Sequence, residues 1–170
     1  MKAEIEIARA EQEMYAIPRR ERQDEPPVTH EETVAARRAL RQVTDSLIHT
    51  SLMNGDAVTL LRGIVETMTT AGGTCSQFGI EPDLNDFLLA AKDLTEDARV
   101  LVDKGINVRE WDQVRVGVTM LQCVCMGIVA CLGLPYKEAI AMSHAKRMNA
   151  EHPTRADYEG VMREAGLPVE

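Results

Sequence analysis

The sequence predicts an all-α protein: a four-helix core of two antiparallel helical hairpins, with further helices at both ends. Three observations carry this. Aromatic residues are only 4% of the 170, so the core is left to Leu, Val, Ile, Met and Ala, a set that favours helix when strand-type residues are few. Apolar residues recur at steps of three and four. Gly, Pro and Asp stand where those stretches stop and start. With 45% hydrophobic residues the chain can bury one core as a single domain, and no segment calls for a sheet.

The elements follow in order. Met1 to Tyr15 is expected to be helical, marked by Ile5, Ile7, Ala8 and Met14. The stretch AIPRRERQDEPPVTHEE, with its proline pair and dense charge, is expected to be an extended connector. Thr29 with Glu32 three residues on forms a capping box that opens a helix expected to reach Met53. Gly55 ends that helix and Asp56 caps the next, which Gly79 closes. Pro82 and Asp83 open another through Leu84, Phe87, Leu88, Ala91 and Leu94, and Lys104-Gly105 is expected to end it. Val108 to Leu132 follows, stopped by Gly133 and Pro135. Shorter helices are expected from Pro135 to Ala150 and from Thr154 to Ala165. The organisation is therefore residues 1–28, an N-terminal helix and connector; 29–80, a first hairpin; 81–150, a second hairpin and closing helix; and 151–170, a last helix.

The formal net charge of −8 argues against DNA or RNA as partner, since phosphate contacts need a basic face. Cys75, Cys123, Cys125 and Cys131 form no CxxC and read as small core residues in a reducing compartment. The N-terminal stretch has no apolar signal core, which points to the cytoplasm. The uncharged run from Val116 to Leu134 is near spanning length. It reads as a helix buried on all sides by its own bundle, and no membrane is expected. An internal echo is visible: Gly73 and Gly79 close one long helix, Gly127 and Gly133 another, at the same spacing. Duplication of a hairpin and the general habit of Gly to end helices both account for it.

Three stretches carry a resemblance: EQEMYAIPRRERQDEPPVTHEETVAARRALRQV, NGDAVTLLRGIVETMTTAGGTCSQFGI and GLPYKEAIAMSHAKRMN. They resemble the all-α nucleotide pyrophosphohydrolases of MazG and phosphoribosyl-ATP pyrophosphohydrolase type, in the form found in phages. The similarity covers most of the chain and lies in helix layout and turns. His144 and Met148 fall on the family's His and Met. The resemblance implies hydrolysis of a nucleoside triphosphate, or a related nucleotide, to monophosphate and pyrophosphate. Mg²⁺ would neutralise phosphate charge and activate water, with Mn²⁺ as a substitute. It also implies assembly, as a homodimer or as a monomer that mimics one.

The family's carboxylate motifs, EExxE on one helix and ExxD on the next, are eroded here. In the first half their positions fall on Val43, Thr44, Leu47 and Gly63, and only Glu66 is acidic. In the second half, counting back from Gly105, Asp93 and Asp97 are acidic and Leu94 is not; Gly117 and Met120 take the remaining places. Glu66, Asp93 and Asp97 either meet in a composite metal site or are ordinary solvated helix acids. Lys146 and Arg147 lie near the family's phosphate-facing residues. They either hold a phosphate or satisfy a helix C-terminus. Arg38 and Arg41, beside Arg37, are the other candidate nucleotide contacts. The Ser and Thr residues of ETMTTAGGTCSQ either permit close helix approach or line a polar pocket. With so few motif acids, two functions stand beside each other: a Mg²⁺-dependent pyrophosphohydrolase, and a catalytically inactive relative that binds a nucleotide or a protein partner. A purely structural helical oligomer is a third.

Overall fold

The computed structural model describes residues 2–17, 19–23, 25–81 and 98–169, and these are all-α, without a strand among them. The helices are α1 (Lys2–Met14), α2 (His30–Val43), α3 (Thr50–Asn54), α4 (Ala57–Phe78), α5 (Ala98–Val108), α6 (Trp111–Leu132), α7 (Tyr136–Met148) and α8 (Arg155–Glu164). Between α2 and α3 the chain stays helical but widens into a π-helical segment, Thr44–His49.

Local chemistry sets most of the boundaries. Thr29 accepts from the Glu32 amide, while the Glu32 carboxylate accepts from the Thr29 amide, so the expected capping box forms. Gly55 takes the left-handed conformation at φ 70°, and the Asp56 side chain accepts from the Thr59 amide to start α4. Gly79 closes α4 at φ 68°, also left-handed. A side chain there would be doubly excluded, because a Cβ would lie 2.2 Å from the carbonyl oxygen of Arg22.

α4 is the axis of the fold, with 15 of its 22 residues buried. Its N-terminal half (Leu61, Ile64, Val65, Met68) packs with Ala139, Ile140, Tyr158 and Met162 of α7 and α8. Its C-terminal half (Ala71, Cys75, Phe78) packs with Leu40 of α2, Ile106 of α5 and Val114 of α6. The rings of Phe78 and Trp111 meet at 5.2 Å and 51°. Where α1 crosses α4, a Cβ on Gly72 would sit 2.8 Å from the Glu4 carbonyl oxygen, so glycine sets the approach.

Several expectations are corrected. The first long helix is not α-helical throughout: the π segment takes up Thr44–His49, with the Ser51 hydroxyl donating back to the Leu47 carbonyl. Gly105 does not end a helix. α5 runs through it to Val108, and the turn falls on Arg109, at φ 60°. Gly105 serves contact instead, since a Cβ would meet the Val114 side chain at 2.9 Å and the Glu110 carbonyl at 3.0 Å. α6 is not buried on all sides. Val114, Val118 and Leu121 are buried, whereas Val124 is 48% exposed and Leu132 52%. Among the described residues α6 is the one helix long and apolar enough to cross a membrane by length and composition alone. Cys131 is exposed rather than in the core; Cys75 and Cys125 are buried, and burial pushes the Cys125 thiol up to about 12.

The connector is held by Arg20, whose side chain is 3% exposed. Its guanidinium donates to the Pro26 carbonyl at 2.5 Å, the Gln77 carbonyl at 2.6 Å and the Glu32 carboxylate at 3.0 Å. It thus ties the C-terminus of α4 to the N-terminus of α2. Removing it strands Glu32 beside open carbonyls, so Arg20→Ala is expected to cost about 3–5 kcal/mol by chemical denaturation. Arg20→Lys should recover only part, because one ammonium cannot span the fork. The Arg20 hydrogen bonds, with Thr29 adding to them against the cost of burial, hold the Glu32 carboxyl at about 2, below its usual 4.5. That stabilisation, about 3 kcal/mol, is present above pH 4.5 and is lost as pH falls toward 2. Glu32→Gln is expected to flatten the stability profile over that window; an unchanged slope would refute the assignment.

Candidate functional site

α1, α2 and α4 wall a cavity of about 700 Å³. The side of α4 facing it is a stripe at helical steps: Arg62, Glu66, Thr69, Thr70, Gly73 and Gln77. α2 contributes the small side chains Ala35, Ala36 and Ala39, and α1 contributes Glu11 and Gln12. Arg147, at the end of α7, closes one end with His152 and Pro153. Both readings of the Thr-rich stretch therefore hold at once. Gly72 lets α1 approach, and Thr69, Thr70 and Thr74 one step round the helix line a polar pocket.

The charged groups are mutually engaged. Arg147 donates to Glu66 through one terminal nitrogen and to Glu11 through the other, the latter at 3.3 Å. His144 Nδ1 lies 3.3 Å from the second Glu11 oxygen. Burial works against the charge on Arg147, but Glu66 and then Glu11 outweigh it, and the guanidinium is held above its usual pKa. The Tyr15 hydroxyl donates to the Arg147 carbonyl at 2.9 Å. One ionic knot thus joins α1, α4 and α7. Arg62, one turn before Glu66, has a buried Nε without a partner in the protein.

The residues singled out by sequence separate here. Glu66 and Arg147 come together in the cavity, with Val43 and Leu47 on its wall. Lys146 does not reach it: it pairs with Asp157 at 2.8 Å and Glu151 at 3.6 Å. Arg38 and Arg41 line a separate shallow groove on the outer side of α2, and Arg41 pairs with Asp103 at 3.1 Å beside Arg37. Asp93 and Asp97 lie outside the described residues. Sequence reasoning missed Glu11, Gln12 and Arg62. Glu11 and Gln12 sit in a charged helix, and nothing in their spacing marks them.

Magnesium does not fit the described residues around Glu66. Its carboxylate faces a guanidinium, and no group of three His, Cys, Asp or Glu stands close enough to share an ion among the described residues. Packing fills the motif positions themselves: a Cβ on Gly63 would lie 2.8 Å from the Leu47 Cβ. Carboxylates at those two places would collide before they could ligate.

Fold and site together define an all-α protein whose partly open cavity ends in an ion cluster of Arg147, Glu66 and Glu11. No family model, curated protein or solved structure matches the chain.

Arg147→Met would remove the one guanidinium that pairs with both Glu66 and Glu11. It is expected to cost about 3–5 kcal/mol in urea denaturation, while Glu66→Gln, which keeps a hydrogen-bond acceptor, costs less. Stability of Arg147→Met within about 0.5 kcal/mol of wild type would show that the cluster is solvated and weak.

Proposed function

We propose that this protein is a MazG-like helical bundle that binds a nucleotide in the cavity between α1, α2 and α4 and is catalytically inactive toward it. The observation that carries this reading is the pairing of Glu66 with Arg147 inside a ligand-sized cavity. The one acid left at the first-half motif positions is spent on a cation of the protein. Val43, Thr44, Leu47 and Gly63 at the other positions carry no carboxylate, which removes from this half the charge arrangement that stabilises a hydrolytic transition state. What is left is a pocket with polar groups on an apolar floor.

The same reading takes α2, the π segment and α3 with α4 as one antiparallel hairpin and α5 with α6 as the other, making the four-helix core. Two hairpins in one chain would mimic a family dimer, so the working unit is a monomer or a homodimer in the cytoplasm. A phosphate would meet Arg62 rather than Lys146, which is held outside the cavity by Asp157.

Thermal denaturation with a panel of nucleoside mono- and triphosphates tests this. At saturating ligand the midpoint is expected to rise by roughly 5–10 °C with at least one nucleotide, alike with Mg²⁺ and with chelator. Chromatography of the same mixtures is expected to return the nucleotides intact. No shift with any nucleotide would sink the binding reading. Release of monophosphate and pyrophosphate, lost on the double change Asp93→Asn, Asp97→Asn, would replace it with hydrolysis.

A further inference from the structure

Among the described residues that line the cavity, three buried side-chain atoms have no partner in the protein: one acceptor and two donors. Gln12 is 6% exposed, and its Oε1 is buried without a partner. The orientation of that carboxamide is fixed by chemistry. The atom 2.9 Å from the Gly73 carbonyl oxygen must be the amide nitrogen, since only it can donate. The free atom is therefore an acceptor and nothing else. Toward the other end, Nε of Arg62 and Nε of Arg147 are buried and unpartnered. The two ends differ in kind: an acceptor beside Gly73, donors beside Glu66. Along α4, Gly73 and Arg62 are separated by about 16 Å of helix rise, a gap that the long Arg62 side chain shortens. α2 lines the cavity with the small side chains Ala35, Ala36 and Ala39, the first and last of them exposed, which leaves room for a flat ring.

We propose that a nucleotide lies in this cavity with its base toward Gln12 and its phosphate toward Arg62, and that Gln12 Oε1 accepts a hydrogen bond from an exocyclic amino group. This rests on the nucleotide-binding reading above and adds its specificity: amino-bearing bases of cytosine or adenine type over their keto counterparts. A uracil- or hypoxanthine-type base presents a carbonyl where the amino group was. Against Gln12 that sets acceptor against acceptor. Turning the carboxamide over does not relieve it, because Oε1 would then face the Gly73 carbonyl and meet the same conflict. Gly73 thus locks the amide, and the locked amide does the selecting. A site built around one such hydrogen bond rejects the analogue that cannot make it.

Calorimetric titration of the full chain with cytidine, uridine, adenosine and inosine 5′-monophosphates tests this on wild type alone and then on Gln12→Met. Monophosphates leave no pyrophosphate bond to break, so binding is read without turnover. Wild type is expected to bind each amino member roughly tenfold or more tighter than its keto partner. Gln12→Met is expected to bring each pair within about twofold, and Arg62→Met to weaken all four alike. Equal binding of both members of each pair by wild type overturns the amino-group assignment while leaving nucleotide binding standing. A preference that survives Gln12→Met overturns it too, by placing selection elsewhere. No binding of any of the four, by protein that melts cooperatively, overturns this inference; the nucleotide reading falls with it when the wider panel of mono- and triphosphates also gives no thermal shift.

Discussion

Arg20 sits where the three walls of the cavity are tied to one another. The connector that carries it leaves α1, turns back along the end of α4 and delivers the chain to the start of α2. A helix ends with unpaired carbonyls, and α4 does so inside the protein, where unpaired carbonyls are costly. Arg20 answers this twice: its amide donates to Ser76 O at 3.1 Å and its guanidinium to Gln77 O. Its remaining nitrogens are taken by the Pro26 and Pro27 carbonyls and by the carboxylate of the α2 capping box. Two helix termini that each need a partner are thus satisfied by one buried cation. The spacing of α2 from α4, and so the width of the cavity between them, depends on it.

The second constraint is the accounting of charge around Glu66. A carboxylate in a half-buried pocket needs a cation close by, or it takes up a proton. A metal site meets that need with an ion held by several acids. Here one guanidinium meets it for Glu66 and for Glu11 together. The two solutions exclude each other, because a cation fixed on the carboxylate repels a second one brought from solution. The far end of the chain repeats the pattern without a cavity: Arg155 bridges Asp56 and Glu159, and Lys146 bridges Asp157 and Glu151. Those pairs seat α8 against α4 and α7 and hold Lys146 beside Asp157, away from the cavity lining.

How much of this was legible in the sequence divides by range. The Thr29–Glu32 box, the Gly55-Asp56 turn and the caps at Gly79 and Gly133 are decided by residues within four positions of each other, and each stands as read. Gly105 shows where such reading stops. A glycine that ends a helix and one that lets another helix close in look alike in sequence, and only the Val114 side chain tells them apart. The π segment has the same origin. Nothing in TDSLIH calls for an extra residue per turn, but Leu47 and Ile48 pass within contact of Gly63, and the backbone yields there. In the site, Glu66 was found because its spacing pointed to a family motif. Gln12 was not, since what distinguishes it is an unmet hydrogen bond across 61 residues of chain.

The echo between the two long helices sharpens once the turn is placed at Arg109. Both helices have 22 residues, and features recur 54 positions on: Gly55 and Arg109, both left-handed; Asp56 and Glu110, the caps; Gly63 and Gly117; Gly73 and Gly127; Gly79 and Gly133, both left-handed again. The same offset carries the cavity stripe of α4 onto α6. Arg62 maps to Val116, Glu66 to Met120, Thr70 to Val124, Gly73 to Gly127 and Gln77 to Cys131. One framework is thus dressed in two ways. On α4 the stripe is polar, and α1 lies across it, so the space between is a partly open cavity whose walls hold hydrogen bonds. On α6 the outer part of the stripe is apolar and open: Val124 and Cys131 are exposed, and a Cβ on Gly127 would meet nothing within 4 Å. A polar stripe under a cover must find partners there, and that demand concentrates the ionic cluster and the unpaired amide oxygen of Gln12 in one half of the molecule.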